Sequence, residues 1–501
     1  MGLDRISRRI LLGGTAALAV ASATACNAPQ TPAPARKTLS VGATLEPPTL
    51  DPTVSAAASI PQLLLYNVYE TLVKIDGEGN LKPLLAQRWD VSEDRMTYTF
   101  TLDRAAHFAS QTPVDAKAVV ASIEKMRAST VASVKRQLAV VDSVSEGEGG
   151  TVVVRLTRPS NSWLYSMAST PGLIIDPATT DLATQPMGSG PFAVSGWAKG
   201  DSITLHKNTH YWGTPGRFDE VTFRYFLESN AMVASMLAGD LDIISNLQTP
   251  QTTSQFSDTS RYTVVDGTTT GEVVMGFNHA SPALKNIKLR QAINHAIDRR
   301  ALIDTVWAGK GTLIDSMASP TEPYYEDLTG LYPYDPAKAR ALLAESGNPT
   351  PTLRLRVPVA PYATAAARFV AGQLAQVGIN AQVEELDFAG RWLPEVFTKG
   401  DYDMTIVAHV EPLDLVAWAD PTYYWHYDNP AFAALTAEAD RATPEEYVTK
   451  MKQAARMLAE DAAACFLFLL PNLVVTKSTI TGVAENATTL SFDLTTIASA
   501  R

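Results

Sequence analysis

The sequence predicts an α/β protein of two lobes, and three observations carry that expectation. At 501 residues the chain is too long for one hydrophobic core, so two or three domains are expected. Residues 352–410 alternate strand and helix patterns as βαβαβ, which implies a parallel or mixed sheet. Two extended stretches far apart in the chain, 260–274 (SRYTVVDGTTTGEVV) and 468–477 (FLLPNLVVTK), read as strands crossing between lobes. A pair of crossing strands lets two lobes rotate through local φ/ψ changes without unpacking either core.

The chain opens on an export segment. Ser7-Arg8-Arg9-Ile10-Leu11-Leu12 supplies its charged part, residues 10–20 its apolar part, and small residues lead to Cys26. The apolar run is too short to span a bilayer comfortably. The paired arginines resemble a twin-arginine signal, and Ala23-Thr24-Ala25-Cys26 resembles a lipoprotein cleavage site, departing from it at Ala23. Residues 1–25 are therefore expected to be removed, Cys26 to be lipidated, and 26–37 (with NAPQTPAPAR at 27–36) to tether the anchor to the folded part. This places the protein on the extracytoplasmic face of the membrane.

Composition narrows the class further. Hydrophobic content of 46% and charged content of 19% are those of a globular chain. The formal charge is −11, and −13 once residues 1–25 are removed, which argues against nucleic acid and anionic lipid as partners. After Cys26 only Cys465 remains, inside the apolar run ACFLFLL. A single thiol forms no internal disulfide and reads as a small buried hydrophobe.

Residues 38–44 alternate as a first strand, and 60–73 carry helical apolar spacing. Residues 87–102 (QRWDVSEDRMTYTFTL) read as a hairpin around Ser-Glu-Asp, and 115–126 as a helix entered after Thr112-Pro113. Residues 290–299 read as one helix with Ile293 and Ile297 inward and its Arg and Gln outward. Strands are expected at 352–358, 380–386 and 402–410, with helices at 363–377 and 390–398 between them. The last strand ends at Glu411-Pro412-Leu413-Asp414, two carboxylates where burial would be costly unless something pairs with them.

Several runs together resemble a known family. They are Leu85-Ala86-Gln87-Arg88-Trp89-Asp90 through Phe100, Phe108 and Asp115, then Met187-Gly188-Ser189-Gly190-Pro191-Phe192. Leu237-Ala238-Gly239-Asp240-Leu241-Asp242, Phe277-Asn278, Leu289-Arg290-Gln291-Ala292 and Tyr334-Asp335-Pro336 follow in order. The chain thus resembles the family 5 bacterial extracellular solute-binding proteins, receptors of ABC importers for peptides, nickel and opines. The resemblance covers about residues 38–491 and implies a two-lobed periplasmic-binding-protein fold of class II with an extra subdomain. Lobe I would comprise 38–266 and 474–501, with its subdomain at about 81–185, and lobe II 267–473.

The resemblance also implies a ligand site and partners. Laid over the family segment, Glu411 falls on the position that pairs with a ligand ammonium, and Asp414 on a second acid. Main-chain groups of Ala408, His409 and Val410 would pair with a peptide backbone, facing the 55–60 segment that contains Ser59. Trp392, Trp418 and Tyr362 stand near this cleft in sequence. Dipeptide receptors carry an arginine before the Pro-Tyr pair; here Ala360 precedes Pro361-Tyr362, leaving Arg356 or Arg368 as substitutes and favouring oligopeptides over dipeptides. The expected partners are a small peptide and ABC permease subunits, for a monomer that needs no cofactor, resident metal or catalytic residue. Receptors of this fold for a metal–chelator complex, an opine or a glycoside, and an exported hydrolase, are the alternatives. No GxSxG, HExxH or P-loop favours the hydrolase.

Overall fold

The computed structural model describes residues 37–410 and 413–500, so the export segment, Cys26, most of the tether and Glu411 lie outside the described residues. Ten strands build the principal sheet. In chain order they are β1 (Thr38–Ala43), β2 (Phe192–Ala198), β3 (Ser202–Lys207), β4 (Glu220–Tyr225) and β5 (Ile243–Ile244), then β6 (Tyr262–Phe277), β7 (Thr352–Pro358), β8 (Asn380–Leu386), β9 (Met404–His409) and β10 (Ala464–Lys477). Their order in space is β8-β7-β9-β6-β10-β5-β1-β4-β3-β2. As the βαβαβ pattern requires, β7 pairs parallel with both β8 and β9.

The two crossing strands are β6 and β10. They pair antiparallel from Tyr262 opposite Lys477 to Gly276 opposite Ala464, and the register breaks between Thr268 and Glu272. The break falls on Thr-Gly residues that offer the ladder little side-chain packing. On one side of it Tyr262, Leu473 and Val475 join Met232 and Leu241 in one apolar cluster. On the other side Met275, Phe277, Cys465 and Leu467 join a cluster with Leu289, Leu355 and Val370. Two strands thus thread separate cores, the arrangement a two-lobed fold needs.

Cys465 is fully buried, and burial pushes its thiol up to about 12, so it packs as an inert apolar side chain.

A separate antiparallel sheet of Ala86–Val91, Thr97–Leu102, Val152–Leu156 and Val141–Glu146 contains the predicted hairpin. Its inner face packs Tyr98, Phe100 and Trp163 together, with Tyr98 and Trp163 ring centroids 4.6 Å apart. Three helices matter for the site: α1 (Ala132–Leu138), α2 (Pro361–Gln376) and α3 (Pro430–Arg441).

Three expectations are corrected. The helix expected over 60–73 covers only Ser59–Leu64, because Tyr66 turns left-handed at φ 66° and the chain then passes under Gly188 and Gly190. A Cβ at those glycines would stand 2.1 Å from the Val68 carbonyl oxygen and 2.5 Å from that of Asn67, so only glycine permits the crossing. The helix expected over 290–299 is two, Ile287–Ala296 and Arg299–Val306, with Asp298 capping the second. Its arginines face inward: Arg290 donates to the carbonyls of Leu284, Asp461 and Ala462, and Arg299 pairs with buried Asp315. Buried carbonyls at chain turns need donors, and the guanidinium supplies several at once. The third helix, Phe388–Thr398, is a wide π-type turn that accommodates Pro394.

Candidate functional site

A cleft of about 510 Å³ opens beside the end of β9. One wall comes from residues 55–65, α1 and the 157–171 segment; the other from 413–423 and α3. The lining mixes apolar side chains (Ile60, Val134, Leu413, Val416), aromatic Tyr165 and Tyr423, and charged Arg136, Arg158, Asp414, Asp420 and Asp440. A concave, largely apolar space with a few polar groups is the usual form of a small-ligand site.

The tail of β9 is tied down from within. The Ala408 N–H donates to Tyr362 Oη at 3.1 Å, and the Thr270 hydroxyl donates to the Val410 carbonyl at 3.0 Å. These groups, expected to face a peptide backbone, are engaged inside the protein in this form. His409 lies opposite Glu272 in the β6–β9 ladder and hydrogen-bonds Tyr424 Oη at 2.9 Å. Burial lowers its imidazole to about 4, so it is neutral at physiological pH.

Behind this tail three carboxyl groups converge. Glu322 accepts from the Ser319 N–H (2.8 Å), Tyr324 Oη (2.7 Å) and the Leu413 N–H (3.2 Å). Leu413 itself turns left-handed at φ 65°, which delivers Asp414 to the cleft, with its Oδ2 3.7 Å from His409 Nδ1. Glu272 is 3% exposed and its Oε2 has no hydrogen-bond partner among the described residues. Burial first, then the charges of Glu322 and Asp414, raise its carboxyl well above the ordinary range. Glu272 is therefore held as the neutral acid.

At the opposite rim the walls are joined. Asp440 of α3 accepts from Arg158 Nη1 (2.5 Å), the Ser160 and Ser162 hydroxyls (3.0 and 2.8 Å) and the Ser162 N–H (3.0 Å). Asn161 Nδ2 donates to the carbonyls of Ala439, Asp440 and Ala442 at 2.8–3.1 Å, and Arg95 also reaches Ala442. The loop thus satisfies the carbonyls that the end of α3 leaves open. Burial alone would raise the Asp440 carboxyl, but the Arg158 and Ser162 hydrogen bonds hold it below the ordinary carboxylate range.

Neither proposed substitute for the missing arginine reaches the cleft. Arg356, 6% exposed, is locked by Glu384 Oε2 (2.8 Å), Glu395 Oε2 (2.5 Å) and Asp401 Oδ2 (3.0 Å). Arg368 pairs with Glu385 at 2.8 Å on an exposed face.

Among the residues expected at the site, Asp414 lines the cleft and Ser59 lies buried in the first turn beneath it, beside lining residues Ala57 and Ile60. Trp418 is buried, stacked on Trp425 with centroids 3.8 Å apart; Trp392 is buried with its Nε1 donating to Thr405 Oγ1 at 3.0 Å. Both serve the core under the cleft floor. The residues missed are Arg136, Tyr165 and the Arg158-Pro159-Ser160-Asn161-Ser162 loop. Their one signal in the sequence is that polar turn, placed just before the buried Trp163.

Among the described residues no helix is long and apolar enough to cross a membrane, and no three His, Cys, Asp or Glu side chains are grouped to hold a metal. The glutathione-binding protein GsiB of Escherichia coli is 29% identical over 364 residues, 70% of each chain. The periplasmic binding protein DppA of Helicobacter pylori, solved in complex with peptide STSA, superposes with a TM-score of 0.80 at 21% identity, covering 93% of this chain and 99% of that one. NikA of Brucella suis, in complex with Fe(III)-EDTA, gives 0.81 at 22% identity, covering 92% and 99%. These likenesses establish the periplasmic-binding-protein fold. The profile of bacterial extracellular solute-binding proteins, family 5 (its middle region), matches residues 80–432, and the chain belongs to that family.

Proposed function

We propose that this protein is the extracytoplasmic receptor of an ABC importer that captures oligopeptides, rather than dipeptides, between its two lobes and passes them unaltered to a membrane permease. The observation that carries this reading is the cleft itself, about 510 Å³ with acidic and basic residues on facing walls. That volume lies inside the range of roughly 300–1,000 Å³ usual for small-ligand sites, enough for a peptide of a few residues. The likeness to GsiB favours a tripeptide such as glutathione within this class. The lobes are taken as 38–266 with 474–501, including a subdomain at about 81–185, and 267–473. Cleavage before Cys26 and its lipidation would hold the monomer at the membrane.

In this reading Glu411 and Asp414 receive the ligand's ammonium. Glu411→Ala is expected to weaken peptide affinity by about 2 kcal/mol, the scale of a charged hydrogen bond. Titration calorimetry returning equal affinities for variant and parent would remove Glu411 from the site. Native mass spectrometry of protein purified without refolding reads the ligand class directly. A co-purifying metal chelate in place of peptide would overturn the reading, and a chemically altered peptide would point to the hydrolase.

A further inference from the structure

Two cations line the cleft among the described residues, Arg136 and Arg158. Arg158 is committed: its Nη1 donates to Asp440 at 2.5 Å and to the Pro159 carbonyl at 3.0 Å. The side chain of Arg136, on the last turn of α1, makes no hydrogen bond or ion pair with any described residue, while its backbone carbonyl accepts from the Ala139 N–H. Across the cleft the Asp420 carboxylate is near enough to feel its charge, but Asp420 Oδ1 already accepts from the Thr422 N–H at 2.9 Å and hydroxyl at 2.6 Å. A guanidinium presents five donors in a fixed fork that suits a carboxylate, and these are available. The second-lobe candidates are excluded on geometry: Ala360 carries no charge, Arg356 is enclosed by three carboxylates, and Arg368 lies outside the cleft.

Building on the peptide reading, we propose that Arg136 holds the terminal carboxylate of the captured peptide, from the wall opposite Asp414. The ligand's two charged ends then engage different walls. A zwitterion of sufficient length bridges the cleft, whereas a shorter one satisfies one wall only. Arg136 is thereby a specificity-determining residue, selecting for a free carboxylate and for length.

The test is an equimolar pool of tripeptides, in free-acid and C-terminal amide forms, with glutathione alongside, titrated against parent, Arg136→Gln and Arg136→Lys. The parent should prefer free acids by roughly 10- to 100-fold, the range of a charge-assisted hydrogen bond. Arg136→Gln should lose that preference, its affinity for free acids falling to the level of the amides, and Arg136→Lys should keep part of it. Because Arg136 is exposed, the melting temperature of all three proteins should agree. A parent without acid preference, or a Gln variant that retains it, overturns the assignment of Arg136 and leaves peptide capture standing. A parent that binds neither form overturns peptide capture and this assignment together.

Discussion

Asp440 and Glu272 are both taken out of water by the fold, with opposite results. Asp440 meets a guanidinium, two hydroxyls and a backbone N–H, and is held as the charged form. Glu272 meets two further acids and keeps an oxygen without a partner among the described residues, so it is held as the neutral form. Glu272 is the more deeply buried, and burial is the first cause of its shift; Asp440 also has the donors that Glu272 lacks among the described residues. A carboxylate is stable inside a protein when donors are brought to it, and it takes up a proton when they are not. One rim of the cleft is therefore a charged clasp, and the segment that carries Asp414 is backed by a neutral acid and an aromatic floor.

The strongest way to break this comparison is to remove the floor. Trp418 stacks on Trp425, which lies 4.8 Å from the His409 ring, so the aromatic layer supports the segment that carries Asp414. Trp418→Ala should cost about 3–5 kcal/mol in urea unfolding, the range for a buried aromatic. Unchanged stability with lost affinity would instead make Trp418 a ligand wall. The clasp comes next. Asp440→Ala strips the loop of its main acceptor, and because the Arg158 side chain is 38% exposed the loss is moderated by solvent. A cost of roughly 2 kcal/mol is expected, with an enlarged radius of gyration in small-angle scattering of the ligand-free protein. A variant with the parent's dimensions would show that the clasp does not hold the walls together.

Glu272→Gln sharpens the other half. The folded-state carboxyl titrates above the ordinary value of 4.5, so the folded protein holds a proton that the unfolded chain releases. The native chain then loses stability as pH rises from that ordinary value through the folded one. Glutamine cannot ionise and escapes the loss. The variant should match the parent near pH 4 and exceed it at pH 8, the gap opening as pH rises above the ordinary carboxyl value. Parallel melting-temperature curves from pH 4 to 8 would mean that Glu272 is not held neutral.

Much of the architecture was legible in the residues. The βαβαβ run shows as alternation of short apolar strands with longer amphipathic stretches, and β7 and β8 fall where the pattern puts them. The inward arginines were not legible, because Arg290 and Arg299 sit at helical positions where solvent is the ordinary destination. Their partners, the carbonyls of Asp461 and Ala462 and the carboxylate of Asp315, are fixed only by tertiary structure. The site divides in the same way. Asp414 follows a strand end and is found from local pattern, whereas Arg136 on α1 and the 158–162 loop lie nearly three hundred positions away in sequence. Nothing local to Asp440 announces that this loop will cap its helix.

The smallest expected effect concerns the tail of β9. If its backbone groups serve the ligand, they must be available when it arrives, yet the Ala408 N–H is already donated to Tyr362 Oη. Tyr362→Phe removes that acceptor without changing the ring. A neutral hydrogen bond of this kind contributes about 1 kcal/mol, so the ligand-free variant should be less stable by that amount. The ligand response then separates two cases. If a peptide takes over the Ala408 N–H, the variant regains the loss on binding and its affinity rises about fivefold, equivalent to that 1 kcal/mol. If Tyr362 keeps the N–H throughout, affinity stays at the parent's value and the peptide is held by side chains on the two walls.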